Sequence, residues 1–214
     1  MGDLMKRYLM ITMGLALVFL ASPALLAQDT EGTTQWELQP LISFVSTDLD
    51  RFWSSVFTNS GLTYQSPRGV FAYEDATRTP CGVVRGENAL YCSRSNSIHY
   101  DESFMNTLLT QIGDFAVAFV IAHEWGHYIQ DRLGLFTRSS IQNELQADCL
   151  AGAYTRFADQ SGILEAGDLE EGRTLLSQIG DPPGARSTQN AHGTAQQRLD
   201  SFELGFAQGV NACL

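Results

Sequence analysis

Apolar and polar positions along this chain sort into a few runs, each with its own period. The first has none: Lys6 and Arg7 lead into an apolar stretch over 8–20, followed by Ala21-Ser22-Pro23-Ala24-Leu25-Leu26-Ala27. A charged start, a hydrophobic middle and a small-residue end predict a secretory signal over 1–27, cut after Ala24 or Ala27. Left uncut, the stretch is close to the shortest that spans a bilayer and becomes an N-terminal anchor. Residues 28–39 are polar and predict a loose lead-in. Leu41, Phe44, Val45, Leu49, Phe52 and Val56 then recur at helical spacing over 40–60, and Asn59-Ser60-Gly61 closes that helix.

Short apolar or β-branched runs follow at 63–64, 70–73, 89–92 and 97–100, parted by Ser66-Pro67-Arg68-Gly69 and a polar turn over 93–96; these predict strands. Asp101 caps a helix running through Leu108 and Leu109. The segment from Asp114 to near Gly134 is almost wholly apolar over 115–122, which predicts a central, buried helix. Further helices are expected over 139–160, capped by Ser139 or Ser140, over 168–179, and over 195–208, capped by Thr194. Asp181-Pro182-Pro183-Gly184 breaks the chain before a polar loop over 184–189. The expected class is α+β: a mainly helical domain over 40–214 with a small antiparallel sheet packed beside the buried helix. No internal repeat or low-complexity tract is present.

The formal charge of −11 argues against a nucleic-acid partner, whose phosphates such a surface repels. Cys81, Cys92, Cys149 and Cys213 are an even set in a chain expected to be exported, which favours disulfides over buried thiols. Of the three pairings, Cys81–Cys92 is preferred because the residues between can form a hairpin, leaving Cys149–Cys213 to tie a helix to the C-terminus. No close Cys-x-x-Cys pair supports zinc held by sulfur.

The chemistry concentrates in the buried helix, where His123-Glu124-Trp125-Gly126-His127 stands. At about 100° per residue the two histidines fall within roughly 40° of each other, one turn apart. Two imidazoles stacked this way can share one Zn²⁺. Glu124 points about 100° away, badly placed as a ligand but able to reach a water at the metal. Two core histidines bonded to backbone carbonyls would look the same; the apolar surroundings, in which these polar groups need partners, favour the metal. Glu144 and Asp148, four apart on the following helix, supply a third ligand and a carboxylate that can accept the free N–H of a ligand histidine. Trp125 should pack into the core behind the site. Gly126, costly inside a helix, should let another segment approach closely.

With these residues, Asn143-Glu144-x-x-Ala147-Asp148-Cys149-x-Ala151-Gly152, His192-Gly193-Thr194-Ala195-x-Gln197-Arg198, Cys81-Gly82, Tyr91-Cys92 and Ile98-His99-Tyr100-Asp101, the chain resembles the bacterial neutral zinc metallopeptidase family, a gluzincin-type branch of the zincins. The resemblance runs from Thr79 to the C-terminus. It implies a zincin-like domain with one catalytic Zn²⁺ on His123, His127 and Glu144, Glu124 as general base, and His192 facing the metal as a donor to the transition state. Arg198 is expected to brace the fold by pairing with a carboxylate. The resemblance also implies that strand 97–100 lies along the cleft and adds an extended substrate to its edge. Two departures stand out: the segment between Gly180 and His192 is shortened, and Tyr128 stands where many members carry another histidine. Tyr128 is a second candidate for holding the developing oxyanion. The expected function is an exported zinc metalloendopeptidase acting on peptide or protein through a zinc-activated water, touching a membrane only through an uncleaved N-terminal segment. The competing expectation is a zinc-stabilised binding module without turnover.

Overall fold

The structure is a computed structural model that describes residues 36–184 and 191–214. The expected signal or anchor over 1–27 and most of the polar loop after Gly184 lie outside the described residues. Helix α1 (Leu38–Asn59) buries Leu41, Val45, Leu49, Phe52 and Trp53 along one face, the stripe its periodicity requires. No strand forms at Thr63-Tyr64. The Tyr64 ring instead packs on Phe57, with centroids 5.3 Å apart, and its hydroxyl accepts the Trp125 indole N–H at 3.3 Å.

Five strands follow: β1 (Val70–Tyr73), β2 (Ala76–Thr79), β3 (Gly82–Arg85), β4 (Ala89–Cys92) and β5 (Ser97–Asp101). β2 and β3 pair as a separate antiparallel hairpin. The other three form a sheet in the order β1-β5-β4, with β1 parallel and β4 antiparallel to β5. β5 therefore lies in the middle with both edges paired. This corrects the expectation that an extended substrate adds to residues 97–100: the edge strands are β1 and β4, and of these two β4 packs on the central helix.

Asp101 caps α2 (Glu102–Gln111), its Oδ1 accepting the Phe104 amide at 2.9 Å. The buried helix is α3 (Asp114–Leu133), ended by Gly134 in a left-handed conformation. It packs against α1, α2, β4, α4 (Ser140–Gln160) and α5 (Asp168–Gln178), so the core is built around it. Ser139 caps α4, and a Thr194/Gln197 capping box starts α6 (Ala195–Gln208). α4 and α6 cross at Gly152 and Gly205; a Cβ on either would run into the backbone of the other helix. Cys81–Cys92 and Cys149–Cys213 are both bonded, the second pinning α4 to the turn after α6. The class is α+β with helices dominant, and among the described residues no helix is long and apolar enough to cross a membrane.

Candidate metal centre

α3 lies close against α4 at Gly126, where a Cβ would sit 2.9 Å from the Ala147 carbonyl oxygen. That approach sets the distance between His123 and His127 on one helix and Glu144 and Asp148 on the other. Trp125 lies behind, 3 % exposed, in the core as expected.

Both imidazoles are oriented through Nδ1. The His123 Nδ1–H donates to Asp148 Oδ1 at 2.8 Å, and a carboxylate can only accept. The His127 Nδ1 faces Gln130 Oε1 at 2.8 Å. Which end of that amide faces the histidine is settled by its other end, Nε2, which donates to the Asn143 carbonyl at 2.7 Å. Both rings thus carry their proton on Nδ1 and present an Nε2 lone pair. Glu144 meets these lone pairs, with Oε2 at 3.3 Å from His123 Nε2 and Oε1 at 3.4 Å from His127 Nε2. Ligands about 2.0–2.1 Å from a tetrahedral zinc lie about 3.3 Å from one another. The observed edges match that figure, and the three residues form a group that could hold a metal ion.

The charges agree with the distances. Burial would push His123 towards neutrality, but Asp148 and Glu144 overcome it and raise its pKa to about 10. Glu144 is held well below the usual carboxylate range, its burial outweighed by His123 and His127. The lowered Glu144, and the share of Glu144 in raising His123, report a place arranged for positive charge between the ring nitrogens and the carboxylate, which a divalent cation supplies while leaving the rings neutral. Asp148 is wholly buried and would be raised by that burial; Arg198 outweighs it, donating Nε to Oδ2 and Nη2 to Oδ1, both at 2.8 Å. Arg198 therefore braces the site through the carboxylate that orients His123.

These groups open on a cleft of about 540 Å³. Glu124 lines it at 7 % exposure, its Oε2 accepting the Tyr91 amide of β4 at 2.6 Å. His192 stands exposed on the rim; its own amide and that of Gly193 both donate to Asp181 Oδ2, at 2.7 and 2.9 Å. Tyr128 is not in the cleft. Its ring is fully buried on the opposite side of α3 beside Tyr64 and Tyr91, which removes it as an oxyanion donor. Gln130 and Asp181 are the residues that the sequence reading missed. Gln130 was within reach of it: three residues after His127, it lies on the metal face of the helix, about 20° from His123.

Over residues 10–213 the chain matches the model of the family described as "Putative neutral zinc metallopeptidase". It is 36% identical over 183 residues to the uncharacterized protein YpfJ of Escherichia coli K12, covering 73% of this chain and 63% of that protein. It is 30% identical over 168 residues to the uncharacterized protein Rv2575 of Mycobacterium tuberculosis H37Rv, covering 63% and 57%. The chain thus spans less than two thirds of the length of these relatives. No solved structure matches it.

Proposed function

Since the chain belongs to the neutral zinc metallopeptidase family, we propose that it is an exported zinc metalloendopeptidase, with the ion held by His123, His127 and Glu144 and Glu124 as general base. The observation that carries this reading is the pair of 3.3 and 3.4 Å edges between Glu144 and two Nε2 lone pairs, with a second carboxylate beside them in one cleft. The two disulfides fit an oxidising, exported setting.

When bound, zinc lowers the pKa of a water molecule to about 7 and polarises a carbonyl. Glu124 is held by the Tyr91 amide through Oε2, so Oε1 remains to take the proton of the attacking water and deliver it to the leaving nitrogen. The edge of β4 aligns the substrate. The Asp101 amide donates to the Asn88 carbonyl, so the alternation of an antiparallel pair turns the amide and carbonyl of Ala89 away from β5 and towards the cleft. An extended peptide hydrogen-bonds there as one more strand. His192, on the rim, donates to the oxygen that gains charge in the transition state.

The test is hydrolysis of casein and of a mixed peptide library by the zinc-loaded protein. The wild type is expected to cleave, and Glu124→Gln to retain zinc and lose cleavage. Zinc-replete wild-type protein that cleaves nothing in the library would leave the binding-module reading in place.

A further inference from the structure

Phe104, Ile179 and Glu87 line the metal cleft, and the same three residues line a second depression of about 300 Å³. This depression lies between α2 and α5, each of which packs on α3. Leu108 and Leu175, 7 % and 2 % exposed, form its floor, with the half-buried Ile112 beside them and the exposed polar side chains of Thr107, Gln111 and Gln178 around the mouth. An apolar hollow with a polar rim, sharing a wall with a catalytic cleft, is built to take a side chain.

Its distance from the metal residues follows from α3. Ile112 is two residues before the start of that helix, and from Asp114 to His123 the helix rises about 13 Å at 1.5 Å per residue. An extended peptide covers that length in about four residues at about 3.3 Å each, and reaches the nearer wall that the hollow shares with the cleft in fewer. The free edge of β4 points the same way: a chain paired at Ala89 leaves the strand past Asn88 and Glu87, and Glu87 borders the second hollow. Glu87 is held at a φ of 56°, a left-handed conformation that sidechain-bearing residues rarely adopt.

We propose that the groove between α2 and α5 is a remote specificity subsite, which takes an apolar side chain of the peptide three to four residues from the bond at the metal. The inference rests on the peptidase reading above and adds to it a substrate class: extended chains with an apolar anchor away from the cut. Short peptides that cannot reach the groove lose that anchor.

The experiment uses terminally blocked peptides of one parent sequence, with Phe or Ala placed three or four residues to either side of the central bond. Their Kd is measured by fluorescence anisotropy on the zinc-loaded Glu124→Gln protein, and kcat/KM on the wild type. Phe on one side is expected to bind about tenfold tighter than Ala. Thr107→Trp and, independently, Gln178→Trp, both on the rim and away from the metal residues, are expected to erase that difference while leaving zinc content and affinity for the Ala peptide unchanged. No Phe preference at any position, no binding of either peptide, or a preference that survives both substitutions overturns the subsite. A Phe preference that obeys the two variants in a protein that cleaves nothing keeps the subsite and removes the peptidase reading instead.

Discussion

Replacing Arg198 by methionine isolates the buried bracing beneath the metal residues. In the wild type, Asp148 accepts three hydrogen bonds, one from His123 and two from Arg198, and is itself fully buried. Arg198→Met removes two of the three and leaves the buried carboxylate with His123 as its one remaining side-chain partner, a broken buried pair that costs about 3–5 kcal/mol. Against a typical total of roughly 5–15 kcal/mol this is a large part of the stability. Urea unfolding of the zinc-free protein at pH 7 measures it. The sign of the pH dependence follows from Arg198, which holds the Asp148 pKa low against its burial. A depressed carboxylate contributes stability above its unfolded pKa of about 3.9 and loses it as pH falls through the lower folded value. The gap between wild type and variant should therefore narrow below about pH 4. The double variant Asp148→Leu/Arg198→Met removes both charges and should recover most of the loss, because apolar packing replaces a buried pair at little net cost. It should not recover zinc affinity: His123 Nδ1 has lost its acceptor, and chelator competition should show binding about 10- to 100-fold weaker than wild type. A loss under 1 kcal/mol in Arg198→Met, or a double variant that binds zinc like the wild type, refutes the reasoning.

Three further outcomes follow from other parts of the fold. Gly126→Ala places a methyl group 2.9 Å from the Ala147 oxygen and should cost about 1–3 kcal/mol in urea unfolding while weakening zinc binding, since it separates α3 from α4. Removing Cys149–Cys213 by paired alanines opens a loop of 64-residue separation and should cost about 4 kcal/mol, against about 3 for Cys81–Cys92 with its separation of 11. Only the first removal should weaken zinc in a chelator titration, because the Cys213 carbonyl accepts from Gln146, whose Oε1 accepts from the Gln130 amide that orients His127. Asp114, Asp168 and Glu171 gather at the start of α3, and burial raises the pKa of each. Raised carboxyls favour the folded state when protonated and oppose it as pH climbs through their folded pKa, so Asp114→Asn should raise the urea midpoint at pH 7, with the gain fading towards pH 4.

Where local chemistry decides the structure, it was legible in the residues. Asp101, Ser139 and Thr194 mark helix starts because their side chains satisfy amides that the helix cannot, and all three cap as expected. His123, His127, Glu144 and Asp148 could be placed together because helical spacing alone puts each pair on one face. The pairing of strands was not legible, since order in a sheet depends on partners far along the chain. β5 looked like an edge and is central, while β2 and β3 were missed because most of their residues are exposed, as at Val83 and Arg85, and the inward positions of β2 are the polar Thr77 and Thr79. Tyr128 was misplaced for a simpler reason. At about 100° per residue it sits roughly 140° from His123, on the face that turns into the core.

The most direct measurement is a zinc-edge anomalous difference map from crystals grown with zinc supplied in excess. One peak is expected about 2.0–2.1 Å from His123 Nε2, His127 Nε2 and a Glu144 carboxylate oxygen, with no sulfur in reach. A strong zinc peak elsewhere, or a Glu144 carboxylate turned out of coordination range beside a bound ion, would contradict the account.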